Sequence, residues 1–169
     1  VEDNPYLDDF YANMKRWSFN LQVYFLSTRF RSHKPITEGP ESVILDRVIY
    51  EDAEIFARNL YEIGNMEQRD YENYVALYEV MTEYLRPPDL LIYLRANVET
   101  LVKQISLRGR DFEKSIKQEY LEQLNRHYES WMKRYKQGPL LIVESDELDF
   151  VNKQEDLEKL VGMIEKKLR

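Results

Sequence analysis

Two short stretches of this sequence carry residues whose types and spacing suit chemistry on phosphate. The first is Asp46-Arg47, an acid and a base set directly behind Val43-Ile44-Leu45 in the run VILDRVIYED. A short continuous apolar run reads as a buried parallel strand, and ligands of open α/β sheets bind just beyond the carboxyl ends of such strands. A helical pattern follows at once through Ile49, Ala53, Phe56, Ala57 and Leu60. Asp46 and Arg47 therefore stand where a phosphate-bearing ligand would sit; the plain alternative is a strand-end ion pair. The second stretch is Arg108-Gly109-Arg110. Two guanidinium groups on a glycine joint can close over a transferring phosphoryl group and neutralise its charge; otherwise such residues are solvated or serve a helix dipole. A third candidate pair, Gln22 and Arg29, is separated by two helical turns, so both project from nearly the same face.

The elements that position these residues follow from apolar periodicity and punctuation. Asn4-Pro5 opens a helix, and Trp17, Leu21, Tyr24, Phe25, Thr28 and Phe30 mark a second. Thr37-Glu38-Gly39-Pro40 reads as a loop before the strand at 43–47. The next helix runs to about Glu62 and is closed by Gly64 in the left-handed region. Asn65-Met66-Glu67-Gln68 reads as a capping box for a helix reaching about Leu85, stopped by Pro87-Pro88. Leu90–Leu94 is a second strand, and Asn97 caps a helix to about Arg108. A helix over 115–137 ends at Gly138-Pro139, Leu140–Val143 is a third strand, and Asp146–Phe150 is an acidic loop. Asn152 is expected to cap the last helix, 153–168. Three apolar strands separated by long helices predict an α/β fold, a parallel sheet with right-handed crossovers in one domain over 1–169.

Composition narrows the function classes. With 33% charged and 43% hydrophobic residues, the 169-residue chain is expected to be soluble, with a proper core. No apolar run approaches the ~20 residues of a membrane span. The absence of cysteine excludes disulfides, thiolate catalysis and Cys-ligated zinc, which suits a cytoplasmic setting. A net charge of −7 argues against general affinity for nucleic acid or anionic membrane, so any anionic ligand has to be held by a local cluster of arginines. The thirteen tyrosines read mostly as half-buried helix packing. His33 and His127 have neither metal-ligand spacing nor a nucleophile partner and read as ordinary surface or helix residues.

Six stretches together, NPYLDDFY (4–11), RWSFNLQVYFL (16–26), LDRVIYEDAEIFARNLYE (45–62), DLLIYLRA (89–96), RGRDFE (108–113) and YLEQLNRHYESW (120–131), resemble the deoxynucleoside kinase family. The resemblance is to its bacterial deoxyadenosine/deoxyguanosine kinase branch and spans nearly the whole chain in order and spacing. It implies a P-loop kinase-like parallel sheet flanked by helices on both faces. It also implies transfer of the terminal phosphoryl of ATP to the 5′-hydroxyl of a purine deoxynucleoside, with Mg2+, in nucleotide salvage. By resemblance, Asp46 helps hold Mg2+, and Arg47 meets the reacting 5′ end and the catalytic carboxylate. Gln22 reads the base together with Arg29 and Asp52, and Tyr11 and Glu113 hold the sugar 3′-hydroxyl. Arg108 and Arg110 are lid residues (lid about 106–116) on the donor phosphates, Asp149 and Phe150 border the donor adenine, and the protein is a homodimer. The side-chain chemistry agrees with a purine: a Gln amide can pair bidentately with the N6/N7 edge of adenine, and an Arg with O6/N7 of guanine.

Departures from the family pattern are equally legible. No GxxxxGK[ST] occurs in 1–169, although its amides and lysine are what cradle donor phosphates. The family's general-base glutamate is expected before the residue matching Val1, and Glu2 is not assigned that role. The chain enters a turn and helix from Val1 without a first strand and reads as the remainder of a longer protein, inactive without its phosphate loop. Val48 stands where the family usually has Ser or Thr. A nucleoside monophosphate kinase of the same fold, or a non-catalytic nucleoside-binding remnant, stays open as an alternative.

Overall fold

The structure is a computed structural model that describes residues 4–109 and 117–169. Its two compact units are Val1–Arg86 and Pro87–Arg169.

The first unit is helical and is built around one long helix. It comprises α1 (Leu7–Ala12), α2 (Met14–Glu38), α3 (Ile49–Glu51), a π-helical stretch (Asp52–Ala57), α4 (Arg58–Glu62) and α5 (Gln68–Thr82). Asn13 starts α2 by accepting the Arg16 backbone N–H at 3.1 Å, an ordinary N-cap. The helix continues past Pro35 to Glu38, so the loop expected from Thr37 begins only at Gly39. Side chains hold that last turn: Thr37 Oγ1 donates to the Lys34 carbonyl at 3.0 Å, and Lys34 pairs with Glu38 one turn on. Against α2 pack α1, α3, the π-helical stretch and α5. Leu21, Leu26, Ile49, Ile55, Leu60 and Tyr74 form the buried centre, each worth roughly 1.5–3 kcal/mol of burial. Tyr61 and Tyr71 stack with centroids 4.6 Å apart, joining α4 to α5.

The expected strand at 43–47 is not formed. Residues 42–45 have no regular structure, and Val43 and Ile44 are 47% and 94% exposed. A strand exists only where a neighbour takes its N–H and C=O groups, and among the described residues none pairs here. The capping box at 65–68 also fails. The N–H groups of Asn65 and Met66 both donate to the Leu60 carbonyl, at 2.8 and 3.0 Å, so these residues close α4 behind Gly64 (φ 76°) rather than open α5.

In the second unit, β1 (Leu91–Arg95) and β2 (Leu140–Glu144) pair in parallel, Leu91 opposite Leu140 and Arg95 opposite Glu144. Two strands are thus present among the described residues where three were expected. Helices α6 (Val98–Arg108), α7 (Gln118–Arg134) and α8 (Gln154–Leu168) complete the unit. Tyr93, Trp131, Met132 and Val143 are buried. Arg95 ties three elements, meeting Glu129 of α7 at 2.9 Å and Glu144 of β2 at 2.8 Å. Asn97 caps α6 as expected, accepting the Thr100 N–H at 2.8 Å, and its own N–H is taken by Asp146 at 2.9 Å. Gly138 is required by space: a Cβ there would stand 3.0 Å from the Pro88 carbonyl oxygen. Asn152 does not cap α8; its side chain and backbone N–H both bond Asp149 instead.

Candidate active site

The first unit brings several of the sequence-selected residues together around Asp52. This residue opens the π-helical stretch and is 2% exposed. From α2, Arg29 Nε lies 2.7 Å from Asp52 Oδ2. The approach is an ion pair without an aligned hydrogen bond, since neither atom has a bonded partner. Burial outweighs the attraction of Arg29 and pushes the carboxyl from its ordinary 3.8 up to about 6, as expected where desolvation exceeds the gain from one cation. Arg47 adds a second, weaker positive field at Asp52, while Glu51 opposes both.

Gln22 lies two turns before Arg29 on the same face of α2 and is 4% exposed. Its Oε1 is buried with no hydrogen-bond partner among the described residues. Such an acceptor carries a desolvation cost until something donates to it. Tyr74, on α5, is fully buried, and its hydroxyl is likewise without a partner. Burial first, and then the nearby Asp52 charge, push that hydroxyl's ionisation well above the ordinary tyrosine range, so it is a neutral donor. Asn59, two residues beyond the π-helical stretch, is 1% exposed with both amide atoms unbonded among the described residues.

Arg47 occupies the turn before α3 with φ 67°, and its guanidinium carbon sits 4.8 Å from the Phe56 ring centroid. Asp46 beside it is exposed and has no ion pair among the described residues. The Val48 N–H is taken by Glu51 Oε2 at 2.7 Å. The Val48 side chain is itself buried, so this position packs where a hydroxyl was expected. His33, one turn beyond Arg29, is 6% exposed rather than at the surface, and burial, then the Arg29 charge, hold its imidazole below the ordinary pKa. A lone histidine on a helix gives no sequence signal for this; it is buried by a loop arriving from residues 40–48. Phe56 and Tyr74 also went unselected, because apolar residues at helical spacing read as core.

Tyr11 lies on α1, 36% exposed and edge-on to Phe10 at 5.4 Å. In the second unit Arg108 is the last residue of α6, exposed, before Gly109 at φ 67°. Asp149 is half-buried and accepts from Asn152, while its N–H donates to Asp156 at 3.0 Å. Phe150 follows it, half-buried. Arg110, Glu113 and the lid core at 110–116 lie outside the described residues.

A buried acid–guanidinium pair, an unbonded amide on the same helix face and a second arginine beside them make a polar cluster suited to a flat heteroaromatic ring near negative charge. That is the chemistry of a nucleoside- or nucleotide-handling protein. The family model described as "Deoxynucleoside kinase" matches residues 1–169, and the chain belongs to this family of phosphotransferases. It is 39% identical over 166 residues to the deoxyadenosine/deoxycytidine kinase of Bacillus subtilis (strain 168), covering 97% of this chain and 76% of that protein. To a deoxyguanosine kinase of Lactobacillus johnsonii it is 37% identical, covering all of this chain and 79% of the relative. Among solved structures, deoxyadenosine kinase from M. mycoides with the products dCMP and a flexible dCDP superposes with TM-score 0.84 at 31% identity, over 98% of this chain and 82% of the other. The same enzyme with bound dATP gives 0.83 at 34% identity, over 98% and 83%. The expected P-loop kinase-like α/β fold is thereby the fold of this chain.

Proposed function

We propose that this protein transfers the terminal phosphoryl of ATP to the 5′-hydroxyl of a deoxynucleoside, purines foremost, and that residues 1–169 form a single domain of that kinase. The observation that carries the reading is the buried Gln22 acceptor, which has no hydrogen-bond partner among the described residues, on the helix face that also carries Arg29 of the Arg29–Asp52 ion pair. A base bearing an exocyclic amino group next to a ring-nitrogen acceptor supplies both halves of what an amide needs. Adenine fits this description, and so does cytosine, in line with a relative named for both nucleosides. Arg29 is the group suited to the O6/N7 edge of guanine, which extends the reading to deoxyguanosine.

On this reading Arg47 meets the 5′ end, Tyr11 and Glu113 hold the 3′-hydroxyl, and Arg108 and Arg110 grip the donor phosphates. Asp149 and Phe150 border the donor adenine. The 5′ oxygen forms a bond to the terminal phosphorus as the bridging oxygen of ATP leaves with ADP, and the hydroxyl proton departs to a carboxylate or to water. The protein's part is positioning and charge neutralisation. Mg2+ fits the residues present: Asp46 is an exposed carboxylate with no ion pair among the described residues, and this ion typically takes one or two carboxylates plus substrate phosphates. When bound, it neutralises phosphate charge. The reading includes a cytoplasmic setting and a homodimer. Leu77 and Val80, 41% and 55% exposed on α5, support the latter, and sedimentation velocity checks it.

Arg47→Ala is expected to lower turnover at least about tenfold, ~1.4 kcal/mol of barrier. The assay uses the gene product as encoded, with ATP-Mg2+ and deoxyadenosine. Unchanged turnover removes Arg47 from the mechanism. Deoxyadenosine monophosphate run in parallel as acceptor should give no product; phosphorylation of the monophosphate alone would replace this reading with a nucleoside monophosphate kinase.

A further inference from the structure

Among the described residues, Arg47 is the one non-glycine residue with positive φ, at 67°. A side chain in this region is strained, and the conformation persists only where its surroundings over-determine it. The planar peptide that follows Arg47 carries the Val48 N–H, so whatever holds that N–H fixes how the Arg47 main chain is turned. Glu51 holds it: the Val48 N–H donates to Glu51 Oε2 at 2.7 Å. In return the Glu51 N–H donates to the Val48 carbonyl at 3.2 Å, which closes the first turn of α3 on itself. A carboxylate accepting a backbone N–H makes a charge-assisted bond, roughly twice as strong as a neutral one.

The sequence leaves this turn to Glu51. Val48 is the N-cap of α3, at φ −118° and ψ 160°, where Ser or Thr would offer a side-chain oxygen to the helix. Valine has none, and its side chain is buried. Of the two side-chain bonds of a capping box, only the one made by the carboxylate can form. Farther along, Phe56 meets the other end of the same arginine, its ring centroid 4.8 Å from the Arg47 Cζ. Glu51 directly precedes the π-helical stretch and Phe56 lies within it. One uninterrupted helical run therefore holds Arg47 by its main chain and by its guanidinium.

We infer that Glu51 is a positioning residue for phosphoryl transfer: its carboxylate fixes the peptide plane after Arg47 and so the direction in which the guanidinium is presented. The inference rests on the proposed role of Arg47, and the test separates the two. Glu51→Met keeps the length of the side chain and removes the acceptor. Glu51→Gln keeps an acceptor oxygen at the same reach and removes only the charge. Glu51 also opposes ionisation of Asp52. Both substitutions abolish that field, so the difference between them reads the bond to Val48. They are assayed in the gene product as encoded, with ATP-Mg2+ and deoxyadenosine, beside Arg47→Ala and the Arg47→Ala/Glu51→Met pair.

Glu51→Met is expected to lower kcat roughly tenfold with KM for deoxyadenosine changed less than about twofold, a loss confined to the transition state. Glu51→Gln should keep about half of the parent turnover or more, since Gln serves at this position of a capping box as Glu does. In the Arg47→Ala background the Met substitution should cost less than about twofold, because the group it orients is gone. If Arg47→Ala is impaired and Glu51→Met is not, the inference falls and the proposed function stands. If Arg47→Ala is itself unimpaired, the proposed role of Arg47 falls and the inference with it. Equal losses in the Met and Gln variants, or a Met loss undiminished without Arg47, would assign Glu51 to charge or packing and overturn the inference. Should Glu51→Met not fold by circular dichroism, Glu51→Ala provides the acceptor-free variant, judged by the same comparison with Gln.

Discussion

On the proposed function, Asp52 should make nucleoside binding sensitive to pH in a window where most carboxylates are silent. Its carboxyl is pushed up to about 6 because burial outweighs Arg29. If the ionised form is the one that accepts from the base, affinity must follow its population. A group titrating near 6 is roughly nine-tenths ionised at pH 7 and one-tenth at pH 5. The Kd for deoxyadenosine should therefore weaken about tenfold between these values, ~1.4 kcal/mol. Isothermal titration calorimetry at half-unit steps reads the slope, and buffers of different ionisation enthalpy read the proton released on binding near pH 5. Asp52→Asn should bind weakly at every pH and show no slope, which separates Asp52 from the nearby His33. Stability carries the opposite sign. A raised carboxyl favours the folded state where it is protonated, fully below 3.8, and that contribution is lost as pH rises through about 6. Converted at 1.36 kcal/mol per pH unit, the loss is up to ~3 kcal/mol. Relative to the parent protein, Asp52→Asn should thus gain stability from pH 4 to 7 in denaturant titrations. A flat Kd profile in the parent protein, or a slope retained in Asp52→Asn, refutes the assignment.

Two further substitutions use the unbonded polar atoms. Gln22→Met fills the same space without the buried Oε1, so the Tm of the ligand-free protein should rise, by about 1 kcal/mol of stability. The same variant should lose at least about tenfold in deoxyadenosine affinity, and a variant that gains stability and keeps affinity would exclude Gln22 from base reading. Tyr74→Phe deletes a hydroxyl with no partner among the described residues and should be neutral or stabilising by up to ~1 kcal/mol. A loss beyond about 1 kcal/mol in urea unfolding would show that the hydroxyl is bonded in solution.

Leu91–Arg95 and Leu140–Glu144 were legible because each apolar run has the other as a ladder partner. Val43–Leu45 carries the same signal and forms no strand, since pairing belongs to a neighbour and not to the run itself. Asn97 and Gly64 were legible as caps because the chemistry is local. The shared face of Gln22 and Arg29 followed from spacing alone, whereas the contact of Arg29 with Asp52 did not, because it depends on how two helices pack. The π-helical stretch was invisible to a search at 3.6 residues per turn, which runs through Ala53, Phe56 and Ala57 without a break. His33 was missed for a related reason: what buries it comes from a segment with no periodicity at all.

That π-helical stretch also makes chain length an ingredient of the cluster. A π turn accommodates an extra residue within an otherwise α-helical run, and each residue of an α-helix turns the side chains by about 100°. Removing one residue between Asp52 and Ala57 would let the segment relax to ordinary α geometry, and everything on one side of it would rotate about a quarter-turn against everything on the other. The carboxylate facing Arg29 and the ring beneath Arg47 lie within that same span. The two could not both keep their partners through such a deletion, even though no side chain of the cluster had been altered.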